Sequence, residues 1–473
     1  MLTFILKYTA MFDWEDEANE NHLNEDLQRF ESQLEQGAVG FFDSDRLEAI
    51  IDHYLMNGAY SKGESAAEIG IQQYPFHSMF YIRKAQAMSG LGKLKEALLL
   101  LDEAEEKEAA SMELKLTKAA IFSQLRDSKR AVRYFREALE LAEREDKDEI
   151  YLDLANELEQ LKDFKGAVEV LEEAMRVNPK NEGALYELAF CLDQIGNVQR
   201  AIDSYTHFLN ENPYSFTAWY NLGNTYSKAE KWVDAITAYE YCVAINDRFS
   251  PAYFNMGNAQ LTLDQYENSI ESFLRCIELD GEDALTYCYL GEAYEHLEQL
   301  EVSWDYYQKS LALAPYLGEA WLGLGIIKDL EGKPKESLHY IERAIELEPD
   351  MDGYYHVYAG ALENAGFIPE AEVAYLKCLE LSPSNEDAYF DYVDYLLDHK
   401  PGIARSYVNE FVQKHQFFFS ILPLIYLDYQ SGNKQDAKLM FVECLNKDAE
   451  KSKELFVRYP ELLNDAEFVN LAR

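Results

Sequence analysis

The sequence predicts an all-α solenoid of about twelve stacked helix pairs with helical caps. Three observations predict it. Six of the twelve prolines (Pro75, Pro179, Pro213, Pro315, Pro349 and Pro383) fall on a 34-residue frame, given a two-residue insertion near 145. Small and bulky residues recur at fixed places of that frame. Within each unit the recurring places 4, 8, 11 and 20, 24, 27 have helical spacing, in two runs. A period of this length means a stacked repeat, because one helix pair cannot bury its apolar face alone.

The elements follow in chain order. Residues 1–43 read as an acidic tail and a capping helix. Met1 to Leu6 is apolar, but Lys7 interrupts it before a signal-peptide core could form. The acidic stretch that opens at Met11 leads to the expectation that translation begins there, with residues 1–10 an extension. Leu23, Leu27, Phe30 and Leu34 recur on one helical face, and Gly37 supplies a stop. The array then spans 44–451. With proline at place 32, units start near 44, 78, 112, 148, 182, 216, 250, 284, 318, 352, 386 and 418. Residues 452–473 read as two short capping helices broken at Pro460.

Each recurring place has a packing reason. Place 4 is large, as in Tyr81, Tyr151, Trp219, Tyr253, Tyr287 and Trp321. Place 8 is small, from Ala85 through Ala189 to Gly223, Gly257, Gly291 and Gly325. Place 20 is small as well, as in Ala201, Ala235, Ser269 and Ser303. Place 24 is bulky: Phe135, Tyr205, Tyr239, Phe273, Tyr307. Small residues let two helices approach, large ones fill the space beside them, and proline stops the second helix. The end units depart from this pattern. Ile51 stands at place 8 of the first, Val393 at place 8 of the unit at 386, and Pro423 inside the last first helix.

These residues resemble the tetratricopeptide repeat (TPR) family. The clearest unit is Trp219-Tyr220-Asn221-Leu222-Gly223-Asn224-Thr225-Tyr226, followed by Ala235, Tyr239 and Cys242. The resemblance covers most of the chain. It implies a right-handed superhelix of helix-turn-helix units whose first helices line a concave groove. It also implies a non-catalytic role in protein binding.

Composition narrows the function further. The chain has 473 residues, 43 Lys+Arg and 86 Asp+Glu, a formal net charge of −43. Such a chain does not neutralise a phosphate backbone, so nucleic acid is excluded as a general partner. Anionic lipid is disfavoured, and no apolar run approaches the roughly 18 residues of a membrane span. A cytoplasmic location is expected. Six cysteines without a C-x-x-C make no disulfide scaffold. Cys242, Cys276, Cys378 and Cys444 all occupy place 27, where a compact apolar filler is needed. Cys191 reads as core, and Cys288, at place 5, as facing the groove. The nine histidines form no metal-ligand pair; His296 and His356 fall at groove places. No phosphate-binding loop, zinc-protease motif or nucleophile elbow occurs. Gly323-x-Gly325 lies inside a first helix and is explained by packing. No catalytic residue, cofactor or metal is expected.

The family's concave face is formed by places 2, 5, 6, 9, 12 and 13, a stripe opposite the apolar places. In the central units it holds Tyr186, Glu187, Phe190, Tyr220, Asn221, Asn224, Phe254, Asn255, Asn258, Tyr289 and Glu292. The asparagines at places 6 and 9 either grip an extended peptide backbone, since an amide donates and accepts, or tie adjacent helices together. Place 5 carries Tyr220 and Phe254 rather than lysine, which speaks against the family's carboxylate clamp. Farther on, Asp387, Asp391, Asp394 and Asp398 share one helical face. They read either as a solvated surface or as a landing site for a Lys/Arg-rich segment. The function that follows is a scaffold or adaptor binding an extended, basic protein segment. The alternative is a self-associating structural solenoid.

Overall fold

The computed structural model describes residues 17–37, 39–108 and 110–471, with side chains from residue 22 onward. The expectation about Met1 and Met11 lies outside the described residues. Among the described residues every regular element is a helix, and the fold is an all-α repeat solenoid. The contacts divide the chain into two compact units, the first ending at Asn246 and the second beginning at Asp247.

The first unit contains α1 (Glu17–Glu35), α2 (Ser44–Met56), α3 (Tyr60–Gln73), α4 (Ser78–Gly90), α5 (Leu94–Lys107), α6 (Met112–Gln124) and α7 (Ser128–Leu141). It continues with α8 (Lys147–Gln160), α9 (Phe164–Val177), α10 (Glu182–Gln194), α11 (Val198–Glu211), α12 (Phe216–Lys228) and α13 (Trp232–Ile245). The second unit contains α14 (Ser250–Thr262), α15 (Tyr266–Asp280), α16 (Ala284–His296), α17 (Leu300–Leu313), α18 (Gly318–Leu330), α19 (Pro334–Leu347), α20 (Asp352–Asn364) and α21 (Ile368–Leu381). It ends with α22 (Glu386–His399), α23 (Pro401–His415), α24 (Leu422–Gln430), α25 (Lys434–Lys447), α26 (Ala449–Ser452), α27 (Glu454–Arg458) and α28 (Ala466–Leu471).

Local chemistry sets the helix ends. The side chains of Asn181, Ser215, Asp283 and Asn385 accept the backbone N–H of Ala184, Ala218, Thr286 and Ala388, capping four first helices. The turn between the two helices of a pair passes through left-handed backbone at place 15 in every unit but the one at 386, where Lys400 has φ −144°. Glycine fills it at Gly58, Gly92, Gly196, Gly332, Gly366 and Gly432; Arg126, Lys162, Glu230, Asp264 and Glu298 fill it elsewhere. The large residue at place 4 also has a polar task. Tyr81 Oη donates to the Pro75 carbonyl at 3.0 Å, Trp219 Nε1 to Pro213 at 2.9 Å and Trp321 Nε1 to Pro315 at 3.0 Å. The frame's proline thus offers its carbonyl to the next first helix.

Places 8 and 24 pack on each other. A Cβ on Gly257 would come within 2.7 Å of the Phe273 ring, and one on Gly291 within 2.7 Å of Tyr307. Gly223 meets Tyr239 in the same way. These aromatic rings are buried because the small residue opposite leaves them a slot. Where serine replaces alanine at place 20, Ser303 Oγ donates to the Gly291 carbonyl at 2.7 Å, so the substitution adds no orphaned hydroxyl there.

The ends differ from the sequence reading. The last first helix does not enclose Pro423: a 3-10 turn occupies Phe419–Ile421 and α24 starts at Leu422, so Pro423 sits in the first turn, where its missing N–H is not needed. The C-terminal cap is three short helices and a 3-10 turn at Pro460–Asn464, rather than two helices.

Candidate functional site

The first helices carry the polar stripe, so the site is built on them. In the first unit, α10 and α12 are tied together: Tyr186 Oη and Thr217 Oγ1 each donate to Glu182 Oε2 at 2.8 Å. Glu187 is half-buried beside them, and Phe190 is 46% exposed with its ring edge-on to Phe164. Asn221 Nδ2 donates to the Thr217 carbonyl of its own helix at 3.0 Å. Asn224 Oδ1 accepts Tyr239 Oη from α13 at 2.8 Å. The Tyr220 ring lies 6.0 Å from that of Tyr239. The Asn224 bond joins α12 to α13, whereas that of Asn221 stays within its own helix.

Neighbouring first helices are also stapled from place 12 to place 13. Ser89 Oγ donates to Gln124 at 3.1 Å, and Lys228 Nζ pairs with Asp193 at 2.8 Å. Near the N-terminal end the stripe is closed rather than open. Arg83 is buried with Asp52 on one side and Glu113 on the other, and Gln86 and Thr117 complete the network.

In the second unit, Phe254 packs on Phe273 and Tyr289, and Tyr289 stacks on Phe273 at 5.7 Å. Asn255 and Asn258 are half-buried on α14; Asn258 Oδ1 is shielded from solvent with no hydrogen-bond partner. Cys288 is 3% exposed, so it belongs to the core and not to the accessible face. All six cysteines are buried free thiols, and burial pushes the Cys242 thiol up to about 12. His296 stacks on Tyr266 at 4.7 Å, and no group of residues that could hold a metal occurs among the described residues.

Charge distinguishes this second unit. Its first helices α14, α16, α18, α20, α22 and α24 carry twelve Asp and Glu and a single Lys or Arg, Lys328. Lys328 is itself engaged by Glu331 at 2.9 Å and by the Trp304 ring. Nine of these carboxylates stand at places 2, 6, 9, 12 or 13 of the frame. Glu292 is held above the usual carboxylate range by burial and by Glu319. Burial drives Glu295 up to about 7, although Tyr307 Oη donates to it at 2.9 Å. Glu295 lacks a stapling partner because Leu330 stands where the neighbouring first helix elsewhere offers Lys228 or Asn364. Asp329 accepts Asn364 Nδ2 at 2.8 Å, and Glu363 Oε1 lies 3.2 Å from His399 Nε2. Glu295, Asp329 and Glu363 share place 12, and that column was visible in the frame.

The four aspartates of α22 are in unequal states. Asp387 pairs with Arg458. Asp391 lies 3.8 Å from Arg458 and 2.7 Å from His356 Nε2. Asp394 and Asp398 are exposed and have neither an ion pair nor a hydrogen bond. Partial enclosure, with Asp391 next in importance, pushes Asp394 up to about 6. Arg458 was not anticipated from the sequence. It lies 71 residues from Asp387, outside any helical or repeat spacing.

Glu295 gives a pH prediction. Its carboxyl titrates near 4.5 when free and near 7 when folded. The folded chain therefore keeps a proton that the unfolded chain has lost, and stability falls as pH rises through that window. Glu295→Gln keeps the acceptor for Tyr307 without the charge. It should stabilise by about 1–2 kcal/mol at pH 8 and leave stability at pH 4.5 unchanged. Urea denaturation at the two pH values checks this; equal gains at both would mean that the effect is not ionic.

Sequence profiles of the family described as tetratricopeptide repeat match residues 113–145, 158–222, 218–248, 250–283 and 318–351. No curated protein sequence matches. Among solved structures, MamA is 25% identical over 33% of this chain and 92% of its own, with a TM-score of 0.32. Yeast Tom70 is 14% identical over 83% of this chain and 96% of its own, with a TM-score of 0.44. The thermophilic TPR protein TTC0263 from Thermus thermophilus is 21% identical over 39% of this chain and 100% of its own, with a TM-score of 0.36. The 34-residue phase, the small-on-aromatic packing of places 8 and 24, and the profile matches agree: the matched segments between residues 113 and 351 are tetratricopeptide repeats.

Proposed function

We propose that the protein is a non-catalytic interaction scaffold whose second unit binds an extended, Lys/Arg-rich protein segment on its first-helix face. The carrying observation is the ratio of twelve carboxylates to one lysine on those helices. Clustered carboxylates repel one another, and a cationic segment relieves that repulsion while being steered in from solution. A phosphate backbone would be repelled by the same face. No described helix is long and apolar enough to cross a membrane, and a cytoplasmic setting is part of the proposal. Family members are generally non-catalytic scaffolds, and the buried thiols here offer no activated nucleophile.

The open half of the α22 stripe is the place to test it. Asp394→Asn with Asp398→Asn keeps size and polarity and removes charge. Each exposed contact is worth about 0–1 kcal/mol, so association of a dye-labelled Lys/Arg-rich peptide should slow about three- to tenfold. The salt dependence of the association rate should flatten with it, since exposed charges are screened over about 8 Å at physiological salt. Wild-type association that does not change between low and physiological salt would sink the proposal.

A further inference from the structure

We infer that Arg458 is an internal occupant of a guanidinium pocket on α22, and that an arginine of the bound segment takes its place. This rests on the reading of the second unit as a binding face for cations. The pocket is built for a planar cation. Arg458 Nη2 donates to Asp387 Oδ1, and Nη1 faces Asp391 Oδ1 at 3.8 Å, so two carboxylates one helical turn apart hold the fork. Between them the Phe390 ring lies beneath the guanidinium, with Cζ 4.7 Å from its centroid. A lysine ammonium supplies no second fork and no flat face, so this geometry selects arginine.

The occupant can leave without dismantling its support. The Arg458 side chain is 32% exposed and Asp387 72%. The residues around Arg458 are anchored separately: Leu455 and Leu462 are fully buried, and Tyr459 stacks on Tyr426 at 4.0 Å. Tyr426 in turn bonds Glu461. The docked arm also sets Glu454 of α27 against Glu386 of α22, where burial and the hydrogen bond between the two carboxyl groups push Glu386 up to about 7. Beyond the pocket, Asp394 and Asp398 make no ion pair, and the buried Tyr459 hydroxyl, near enough to Asp394 to feel its charge, has no hydrogen-bond partner. An incoming segment therefore has a vacant acidic step next to an occupied one.

The spacing defines the ligand. The midpoints of the Asp387/Asp391 and Asp394/Asp398 pairs are seven residues apart on α22. That is about 10 Å along the helix, or three residues of an extended chain. The fitting segment carries an arginine and, three residues away, a second Arg or Lys.

The experiment uses the full chain and two dye-labelled nonapeptides of otherwise Gly, Ser and Ala. One carries arginine at positions 4 and 7, the other lysine at both. Wild type should prefer the arginine peptide. Arg458→Gln should bind it about tenfold tighter than wild type, because an internal competitor that fills the pocket nine-tenths of the time reduces apparent affinity by that factor. Asp387→Asn with Asp391→Asn should abolish the preference for arginine over lysine. Circular dichroism checks folding, and Arg458→Lys, which keeps the charge but loses fork and stacking, should bind the arginine peptide tighter than wild type by a smaller factor. If Arg458→Gln and Arg458→Lys both bind equally or more weakly than wild type, while Asp394→Asn/Asp398→Asn slows association, Arg458 is a fixed staple. The pocket proposal then fails and the acidic face survives. If none of these changes affects binding, both readings fail.

Discussion

Replacing Arg83 by alanine is expected to destabilise the first unit by about 3–5 kcal/mol, because it leaves two enclosed carboxylates without a counter-ion. Arg83 is 4% exposed on α4. Its Nε donates to Asp52 Oδ1 of α2 at 2.5 Å, and its Nη1 to Glu113 of α6. Asp52 and Glu113 side chains are only 16% and 18% exposed. Burial already lifts the Asp52 carboxyl above its usual range against the pull of Arg83, so losing the guanidinium removes what keeps it ionised. Gln86 Nε2 adds bonds to Glu113 at 3.3 Å and to Thr117 at 3.1 Å. The network thus joins three successive first helices. Repeat stability is approximately a sum of unit and nearest-neighbour terms, so the loss should appear in the N-terminal part of a denaturation profile. Hydrogen exchange resolves it: amides of α2, α4 and α6 should lose protection while those of α18 and α20 keep theirs. Adding Asp52→Asn and Glu113→Gln should recover much of the loss, since neutral groups tolerate burial better than orphaned charges. A loss under about 1 kcal/mol would mean that the triad is open to water in solution.

The same network shows what the sequence carries and what it withholds. Helix class and repeat phase were legible because they depend on short spacings and on one repeated length. Trp219, Gly223, Ala235 and Tyr239 announce two helices and their close contact within a single unit. The left-handed place 15 was equally legible in principle, from glycine at Gly58, Gly92, Gly196, Gly332, Gly366 and Gly432, but five charged residues in the same column dilute the signal. The polar stripe was harder. Its places could be assigned, but whether a side chain there meets water or a neighbour depends on the residue one unit away. Asp193 finds Lys228, while Glu295 finds Leu330 and is left to Tyr307. Asn224 reads from sequence either as a peptide grip or as a helix tie, and its amide oxygen accepts the Tyr239 hydroxyl. The α22 aspartates share one face by their spacing, yet the cation that meets Asp387 and Asp391 is Arg458, where the 34-residue frame has already broken down.

Introducing a side chain at Gly323 is expected to be the most damaging single change within the core of the second unit. Gly323 lies on α18, directly against the Tyr307 ring, and a Cβ built there would overlap that ring. On another side the same ring fills the slot at Gly291, where a Cβ would come within 2.7 Å. Tyr307 therefore has a glycine in its own helix pair and another in the next, and is 3% exposed. It cannot swing aside cheaply, because its hydroxyl donates to Glu295 at 2.9 Å and moving it would take that bond from a half-buried carboxyl. Gly323→Val should thus reach the upper end of the overpacking range, about 3 kcal/mol, despite the better helix propensity of valine over glycine. Gly353→Ala serves as the control: a Cβ there meets nothing within 4 Å on a neighbouring first helix, so the change should be neutral or slightly stabilising. Combining Gly323→Val with Tyr307→Leu should return part of the loss, because the shorter side chain vacates the overlapped volume. Urea denaturation of the three variants separates the possibilities. If Gly323→Val costs no more than Gly353→Ala, or if the double variant is no better than Gly323→Val alone, then the ring of Tyr307 is not wedged between the two glycines.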